Sequence, residues 1–517
     1  MNLLIDDWIP VELKGELQRI SLQRLLCEEE DFKIKSFRDD MELATLQLLV
    51  CIVQVVFMPE DKKALKIRWD NPLSETDYQQ GIENYLDWFD VLHSQTPFMQ
   101  TGSVKPEKGN KNWASLQKLF MGLPEKSSSS PTSSGFFDTP DEITSLSVAD
   151  AAIALFQQAT NGFSLGGVGY SVGLKGSMPL TTLIVSDSLR KSIWCNVLSR
   201  EFLQKFPPIL TAKLQEPTWI IPPPYEKTEK EHAHHISLMR GLFWQPAKVK
   251  LELINGEVTG FHKEAGTCTV TGYWLHPHTP IDALRLQANN PKEKPYLSAR
   301  GDQPLWGQML SYFYTNEKIK AVDAKKEGAS CALVVQQYEQ IWLKNGIQLA
   351  VGGYIKGGSA ESLAGRRHEI YSLAEGWQNN SDELAKLNDL IEFAISCQQR
   401  LSLAVADFVD KANTAFKDRN TDVKKKFTGK EPHFKTHLKA TAKKIYFNNS
   451  ETIMHSLLKE FQWHDGLKPH QKKFKKLAEK VFEQLVSPYE HEDKMLEPVI
   501  KSRQFLHNML NKLTQPL

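Results

Sequence analysis

Leu384-Ala385-Lys386-Leu387-Asn388-Asp389-Leu390-Ile391-Glu392-Phe393-Ala394, carried on through Leu401, Val405 and Phe408, decides how this chain is read. Apolar residues at 384, 387, 391, 394, 401, 405 and 408 keep three- and four-residue spacing, the repeat that lines one face of a helix. Further helical stretches follow at roughly 434–463, 469–487 and 494–513. Their apolar stripes include Phe474, Leu477, Val481 and Leu485, then Val499, Leu506, Met509 and Leu513. Helices of this length in series predict a terminal bundle. Upstream, about 217–372 is rich in β-formers and turn residues, with alternating runs near 248–253 and 267–274. The pattern changes around Gly376-Trp377. The chain therefore reads as α+β: a mixed α/β domain over 1–380, then a four-helix bundle over 381–517.

Within the first domain, Asn2-Leu3-Leu4-Ile5-Asp6-Asp7-Trp8-Ile9-Pro10-Val11 is a short strand-like run with a proline stop. Arg38-Asp39-Asp40-Met41-Glu42 leads into an apolar helix in which Asp39 or Asp40 can serve as N-cap. Its most apolar part, 43–58, contains Thr45, Gln47 and Gln54 and is too short to span a bilayer. A second helix over 149–160 places Ala152, Leu155 and Phe156 on one face. It runs into Gly162-Phe163-Ser164-Leu165-Gly166-Gly167-Val168-Gly169-Tyr170-Ser171-Val172-Gly173-Leu174-Lys175-Gly176, six glycines in fifteen residues. Neither GxxxxGK[ST] nor GxGxxG before a helix fits it, since Pro179 and a β-branched run follow. It is either a bulged loop or a side-chain-poor finger able to lie in a nucleic-acid groove. The segment 125–135 is Ser-rich and nearly free of apolar side chains, so it reads as a mobile loop. It ends at Phe136-Phe137-Asp138, two aromatics that either fold back into the core, the commoner outcome, or stack on a partner.

The formal net charge is only +1, but it is segregated. Residues 417–480 hold 17 Lys+Arg against 7 Asp+Glu, whereas residues 1–416 hold 42 against 50. Lys435, Lys439 and Lys443 recur every four residues, as do Lys472, Lys476 and Lys480, so each set would share a helix face. Solvated faces often look like this. A net +10 beside an acidic remainder favours contact with phosphate backbones.

Signs of catalysis are weak. HExxH, helicase and polymerase signatures are absent. His276-Pro277-His278 lacks a third ligand, and His232, His234 and His235 sit in a polar loop. A metal-dependent nuclease using His276, His278 and the acid pair is the alternative from another class; a scaffold binding guide RNA is a third. The six cysteines form no CxxC pair and read as reduced thiols of a cytoplasmic protein without a membrane segment.

Several motifs together resemble CasA, the large subunit of the type I-E CRISPR Cascade. They are the run 1–11, Arg38-Asp39-Asp40-Met41-Glu42-Leu43-Ala44, Pro97-Phe98-Met99-Gln100-Thr101, Arg240-Gly241-Leu242-Phe243-Trp244-Gln245-Pro246-Ala247, Trp274-Leu275-His276-Pro277-His278, Gly352-Gly353-Tyr354, Arg366-Arg367-His368 and Ser487-Pro488-Tyr489. They keep their order over almost the whole chain.

The resemblance implies a non-catalytic subunit that recognises the protospacer-adjacent motif (PAM) on double-stranded DNA, promotes duplex opening and R-loop formation, and docks the helicase–nuclease. Its partners would be the other Cascade subunits, guide RNA and target DNA. Gly166, Gly167, Val168 and Gly169 match the loop that lies in the minor groove, and Phe136, Phe137 and Asp138 match the tip that contacts guide RNA and a neighbouring subunit. Val168 falls where relatives carry glycine, and Ala265 falls on their groove-reading lysine, leaving Lys263 as the nearby basic group. Lys356, Gly357, Gly358 and Ser359 occupy the hairpin that carries an Asn-Gln wedge in relatives. The cysteines that hold zinc in some relatives are missing, so neither metal nor cofactor is expected.

Overall fold

The computed structural model describes residues 1–109, 111–123, 143–166, 170–212, 215–225, 230–266, 268–282, 295–301, 303–315, 329–342, 346–356, 363–377, 380–417, 431–460 and 466–513. The chain divides into two compact units. One comprises Met1–Gly301, Ser311–Leu343 and Ile347–Tyr371; the other comprises Asp302–Leu310, Lys344–Gly346 and Ser372–Leu517. The architecture is the expected α+β class with a C-terminal helical region.

The first unit opens on β1 (Ile9–Leu13), β2 (Glu16–Ile20) and β3 (Lys33–Ile34), with β1 in the middle. Lys14 and Gly15, both at positive φ, make the two-residue turn between β1 and β2. Pro10 does not stop the strand, contrary to the sequence expectation. It pairs with Arg19 as the second residue of β1, and its carbonyl accepts from the Lys35 amide at 3.0 Å. A proline at a strand's start is tolerated because only its missing N–H is lost to the ladder.

Helix α1 (Asp39–Val56) is buried on nearly every side. Two of its polar members find buried partners: Thr45 Oγ1 donates to the Met41 carbonyl at 2.7 Å, and Gln54 both donates to and accepts from the Leu198 backbone, at 2.9 and 2.6 Å. The expected carboxylate cap is absent. Arg38 occupies the N-cap without a side-chain bond, while Asp39 and Asp40 lie in the first turn, where the helix dipole favours them. Helix α2 (Val148–Asn161) is capped by Ser147, whose side chain accepts from the Asp150 amide, and packs against α1.

Strand β4 (Thr181–Val185) follows, then the hairpin of β5 (Lys248–Ile254) and β6 (Glu257–Glu264). Asn255 and Gly256, both at positive φ, form its turn. The run expected over 267–274 yields only the strand Thr269–Thr271, which pairs in parallel with Lys230–His232. Strands β7 (Ile347–Lys356) and β8 (Leu363–Leu373) complete a three-stranded sheet in the order β8-β7-β4, with β7 antiparallel to β4. Two motifs singled out in the sequence turn out to be core. Phe98 and Phe243 stack with Phe89 and Trp219, and Gly241 lies so close to Trp274 that a Cβ would sit 2.1 Å from the indole.

The second unit is built on α3 (Ser381–Lys417), α4 (Glu431–Leu458), α5 (Lys468–Val486) and α6 (Asp493–Lys512). α3 packs against each of the other three. All seven apolar positions read from 384 to 408 are buried. In α5 the buried face is Phe474, Ala478, Val481, Phe482 and Val486, with Leu477 and Leu485 at its margin. In α6 it is Pro498, Val499, Ser502, Leu506 and Leu510. Buried Ser502 donates to Asp407 at 2.7 Å, and the Tyr446 hydroxyl to the Ala394 carbonyl at 2.9 Å.

Candidate nucleic-acid interface

The glycine-rich segment is described up to Gly166 and again from Tyr170. Gly166 has φ +79°, a conformation that favours glycine. Lys263, on β6, reaches across to this turn. Its ammonium donates to the Leu165 carbonyl at 2.9 Å and the Gly166 carbonyl at 3.3 Å, and lies 4.3 Å from the centre of the Tyr170 ring. Lys263 is thus engaged in holding both flanks of the loop. Tyr170 also bridges to Gly266 in parallel fashion, continuing the same attachment.

Below the loop lies a buried polar chain that the sequence did not disclose. Lys175 is 3% exposed, and its Nζ donates to Asn161 Oδ1 at 2.7 Å. Asn161 Nδ2 donates to Gln157 Oε1 at 2.7 Å and to Gln47 Oε1 at 2.8 Å. Gln157 Nε2 donates to the Tyr354 hydroxyl at 2.6 Å, and that hydroxyl donates to Asp40 Oδ2 at 2.6 Å. Arg38 closes the far end with a fork onto both Asp40 oxygens, at 2.9 and 2.7 Å. Burial pushes the Lys175 ammonium down to about 7, and burial together with the Asp40 carboxylate pushes the Tyr354 phenol up.

Asp39 turns outward and accepts from Arg366 Nε on β8 at 2.6 Å. Its carboxyl is held below the usual range: burial works the other way, and the Arg366 guanidinium outweighs it. The motifs at 38–44, 352–354 and 366–368 therefore meet at one place. Gly352 permits the approach, since a Cβ there would lie 2.2 Å from Leu43 of α1. Signals for the chain were present in the sequence as Gln157, Gln158 and Asn161 in an otherwise apolar helix and as a lone lysine among glycines. Polar side chains in such company need internal partners.

The two lysine sets differ. Lys435 pairs with Asp410 at 2.6 Å, Lys439 is half-buried, and the Lys443 ammonium lies 5.9 Å from the Phe447 ring centre. On α5, Lys468, Lys472, Lys473, Lys476 and Lys480 are all exposed, and none makes an ion pair among the described residues. Lys356 is exposed at the end of β7. Phe136, Phe137, Asp138, Gly167, Val168, Gly169, Gly357, Gly358 and Ser359 lie outside the described residues, as do the Ser-rich segment 125–135, Lys424, Lys425, Lys426 and Lys430.

The histidines do not assemble with the acid pair into a ligand set. His276 and His278 stack 5.2 Å apart, fully enclosed, and burial lowers both, His278 to about 3. His232, His234 and His235 cluster on the surface, with the Thr271 hydroxyl 2.6 Å from His232 Nδ1. Among the described residues no three His, Cys, Asp or Glu side chains are arranged to hold a metal, and no helix is long and apolar enough to cross a membrane.

A family model, CRISPR-associated protein Cse1, matches residues 2–487. Solved structures share the fold along nearly the full length. Thermus thermophilus CasA (Cse1) superposes with a TM-score of 0.71 at 14% identity, covering 98% of this chain and 99% of that one. Thermobifida fusca Cse1 gives 0.70 at 17% identity, covering 99% and 98%. A chain described as belonging to a CRISPR RNA-guided surveillance complex gives 0.61 at 12% identity, covering 98% and 99%. At such low identities the superpositions establish a shared fold, and with the family model matched over almost every residue this chain belongs to the Cse1 family of CRISPR-associated proteins.

Proposed function

We propose that this protein is the non-catalytic large subunit of an RNA-guided surveillance complex and that it reads the protospacer-adjacent motif on duplex DNA. In this reading Gly166–Gly169 approach the minor groove, where the absence of side chains lets backbone atoms reach base edges. Lys263 sets the posture of the loop's base, and Lys356 to Ser359 are the candidate wedge. Phe136, Phe137 and Asp138 contact the guide RNA and a neighbouring subunit. The chain promotes strand separation so that the guide can pair, and it docks the helicase–nuclease.

One observation carries the DNA-binding part: the exposed row of ammonium groups on α5, with no carboxylate partner among the described residues. Such a row attracts a phosphate backbone irrespective of sequence, whereas the Lys435 set is partly tied up within its own bundle.

The test is made on the complex assembled with its partner subunits and guide RNA. Gly167→Asp combined with Lys263→Ala is expected to weaken binding to a motif-bearing duplex by about tenfold or more, the size expected when a groove contact is lost. Assembly should be unchanged. A gel-shift titration in which the double variant binds that duplex like wild type would overturn the assignment.

A further inference from the structure

Asp40 of α1, the base of the glycine-rich loop and Tyr354 of β7 are joined by one continuous set of hydrogen bonds, and Asp39 beside it binds Arg366 of β8. We propose that the chain Lys175–Asn161–Gln157–Tyr354–Asp40 is a positioning device that fixes the base of the glycine-rich loop and the end of β7 relative to each other, so that the two move as one unit. This rests on the functional reading above, in which both loops address DNA.

The geometry is specific. Asn161 is the residue before the glycine-rich segment and Lys175 is near its end, so their 2.7 Å bond pins the loop's two ends together. Thr181 Oγ1 adds a second donor to the same Asn161 oxygen at 3.0 Å, from the first residue of β4. Gly173 lies against α2 so tightly that a Cβ would sit 2.4 Å from the Ala159 carbonyl. The closed base is therefore seated on α2.

From there Gln157 hands the connection to Tyr354 on β7, which is two residues before Lys356 and the hairpin tip. The acid pair then grips both strands of the hairpin. Asp40 takes the Tyr354 hydroxyl of β7, and Asp39 takes Arg366 of β8. This explains why neither carboxylate caps α1.

Donors and acceptors run in one direction. Each link donates toward Asp40, from the ammonium of Lys175 to the carboxylate that also accepts from Arg38. Bonds ordered this way polarise one another, and every member is buried, so a break leaves the donor on its near side without a partner. Tyr354→Phe makes that break with little change in shape. It strands Gln157 Nε2, leaves Asp40 Oδ2 with the Arg38 bond alone, and keeps the ring packing in place.

The experiment is a double-mutant cycle in the assembled complex with Tyr354→Phe and Gly167→Asp, read as affinity for a motif-bearing closed duplex and for a single-stranded target complementary to the guide. The expected result is a loss of about tenfold for Tyr354→Phe on the closed duplex, as for one broken buried hydrogen bond. The single strand should bind as in wild type, and the loss should largely vanish in the Gly167→Asp background. A merely structural tyrosine would weaken both ligands alike and additively with Gly167→Asp, and that outcome overturns the proposal. Gly167→Asp without effect overturns the underlying motif-reading assignment instead. Should Tyr354→Phe fail to assemble, Arg366→Gln at the half-exposed end of the same clamp takes its place with the same two outcomes.

Discussion

The ammonium of Lys263 and the carbonyl of Gly166, ninety-seven residues apart in the chain, are joined at 3.3 Å, with the Leu165 carbonyl bound to the same ammonium at 2.9 Å. The glycine-rich turn is thereby fastened to β6, a strand whose own register is set by β5. Leu165 and Leu174 are buried and Phe163 packs on the core, and an external cation adds a tether through the backbone oxygens.

Lys263→Met keeps the aliphatic stem and removes both bonds. Amide hydrogen exchange over 162–176 is expected to accelerate by about five- to tenfold, the equivalent of one net hydrogen bond, while exchange in the β5–β6 hairpin stays as in wild type. Unchanged exchange across the glycine-rich segment would show that the tether is not what orders it.

Charge reversal at Lys472, Lys476 and Lys480 tests the α5 row. The slope of log affinity against log salt should become shallower by about 2–3, since each neutralised phosphate contributes about 0.9. Reversal of Lys480 alone should change the slope by about 0.9, and reversal of Lys435 alone by far less, because its ammonium already has a carboxylate at 2.6 Å. Equal effects from the two helices would refute the distinction.

Lys175 has its folded-state affinity for a proton lowered by burial, from 10.5 to about 7. Between those values the unfolded chain holds a proton that the folded chain has released, so this residue makes stability rise with pH across about 7 to 10.5. Below 7 the cost of a buried ammonium is fully present. The melting temperature of wild type minus that of Lys175→Met is therefore expected to increase between pH 6.5 and 9.5. A difference that is flat, or that falls, contradicts this account.

Gly241→Ala forces a methyl to within 2.1 Å of the Trp274 ring, in a turn whose neighbour Arg240 is fully buried. Overpacking of this kind costs about 1–3 kcal/mol, so thermal or denaturant unfolding of the first unit should show a clear loss of stability. Gly256→Ala meets no atom within 4 Å; its cost comes only from placing a side chain at φ +86°, and it should be milder.

Periodicity was the part of the fold most legible in the sequence. The seven apolar positions from Leu384 to Phe408 are all buried, because a helix turns every residue at a fixed angle and a local repeat suffices to name the inward face. The stripes on α5 and α6 were displaced toward Leu477, Leu485, Met509 and Leu513, which lie at the margins. Ala478 and Ser502 face inward instead, and small residues there are set by what each helix packs against rather than by their own hydrophobicity.

The sequence by itself determined the α+β class, the helical C-terminal region, the segregation of charge and the family. Tertiary structure alone decided what the conspicuous polar residues do. Asp39 and Asp40 looked like a helix cap and act as a clamp on two strands; Lys435 looked like its counterparts on α5 and is paired to another helix; Lys263 looked like a groove reader and holds a loop. The physical reason is range. A cap, a turn or an amphipathic face is encoded within a few residues, whereas the Tyr354–Asp40 bond joins positions 314 apart, and no local repeat records which distant partner will satisfy a buried donor.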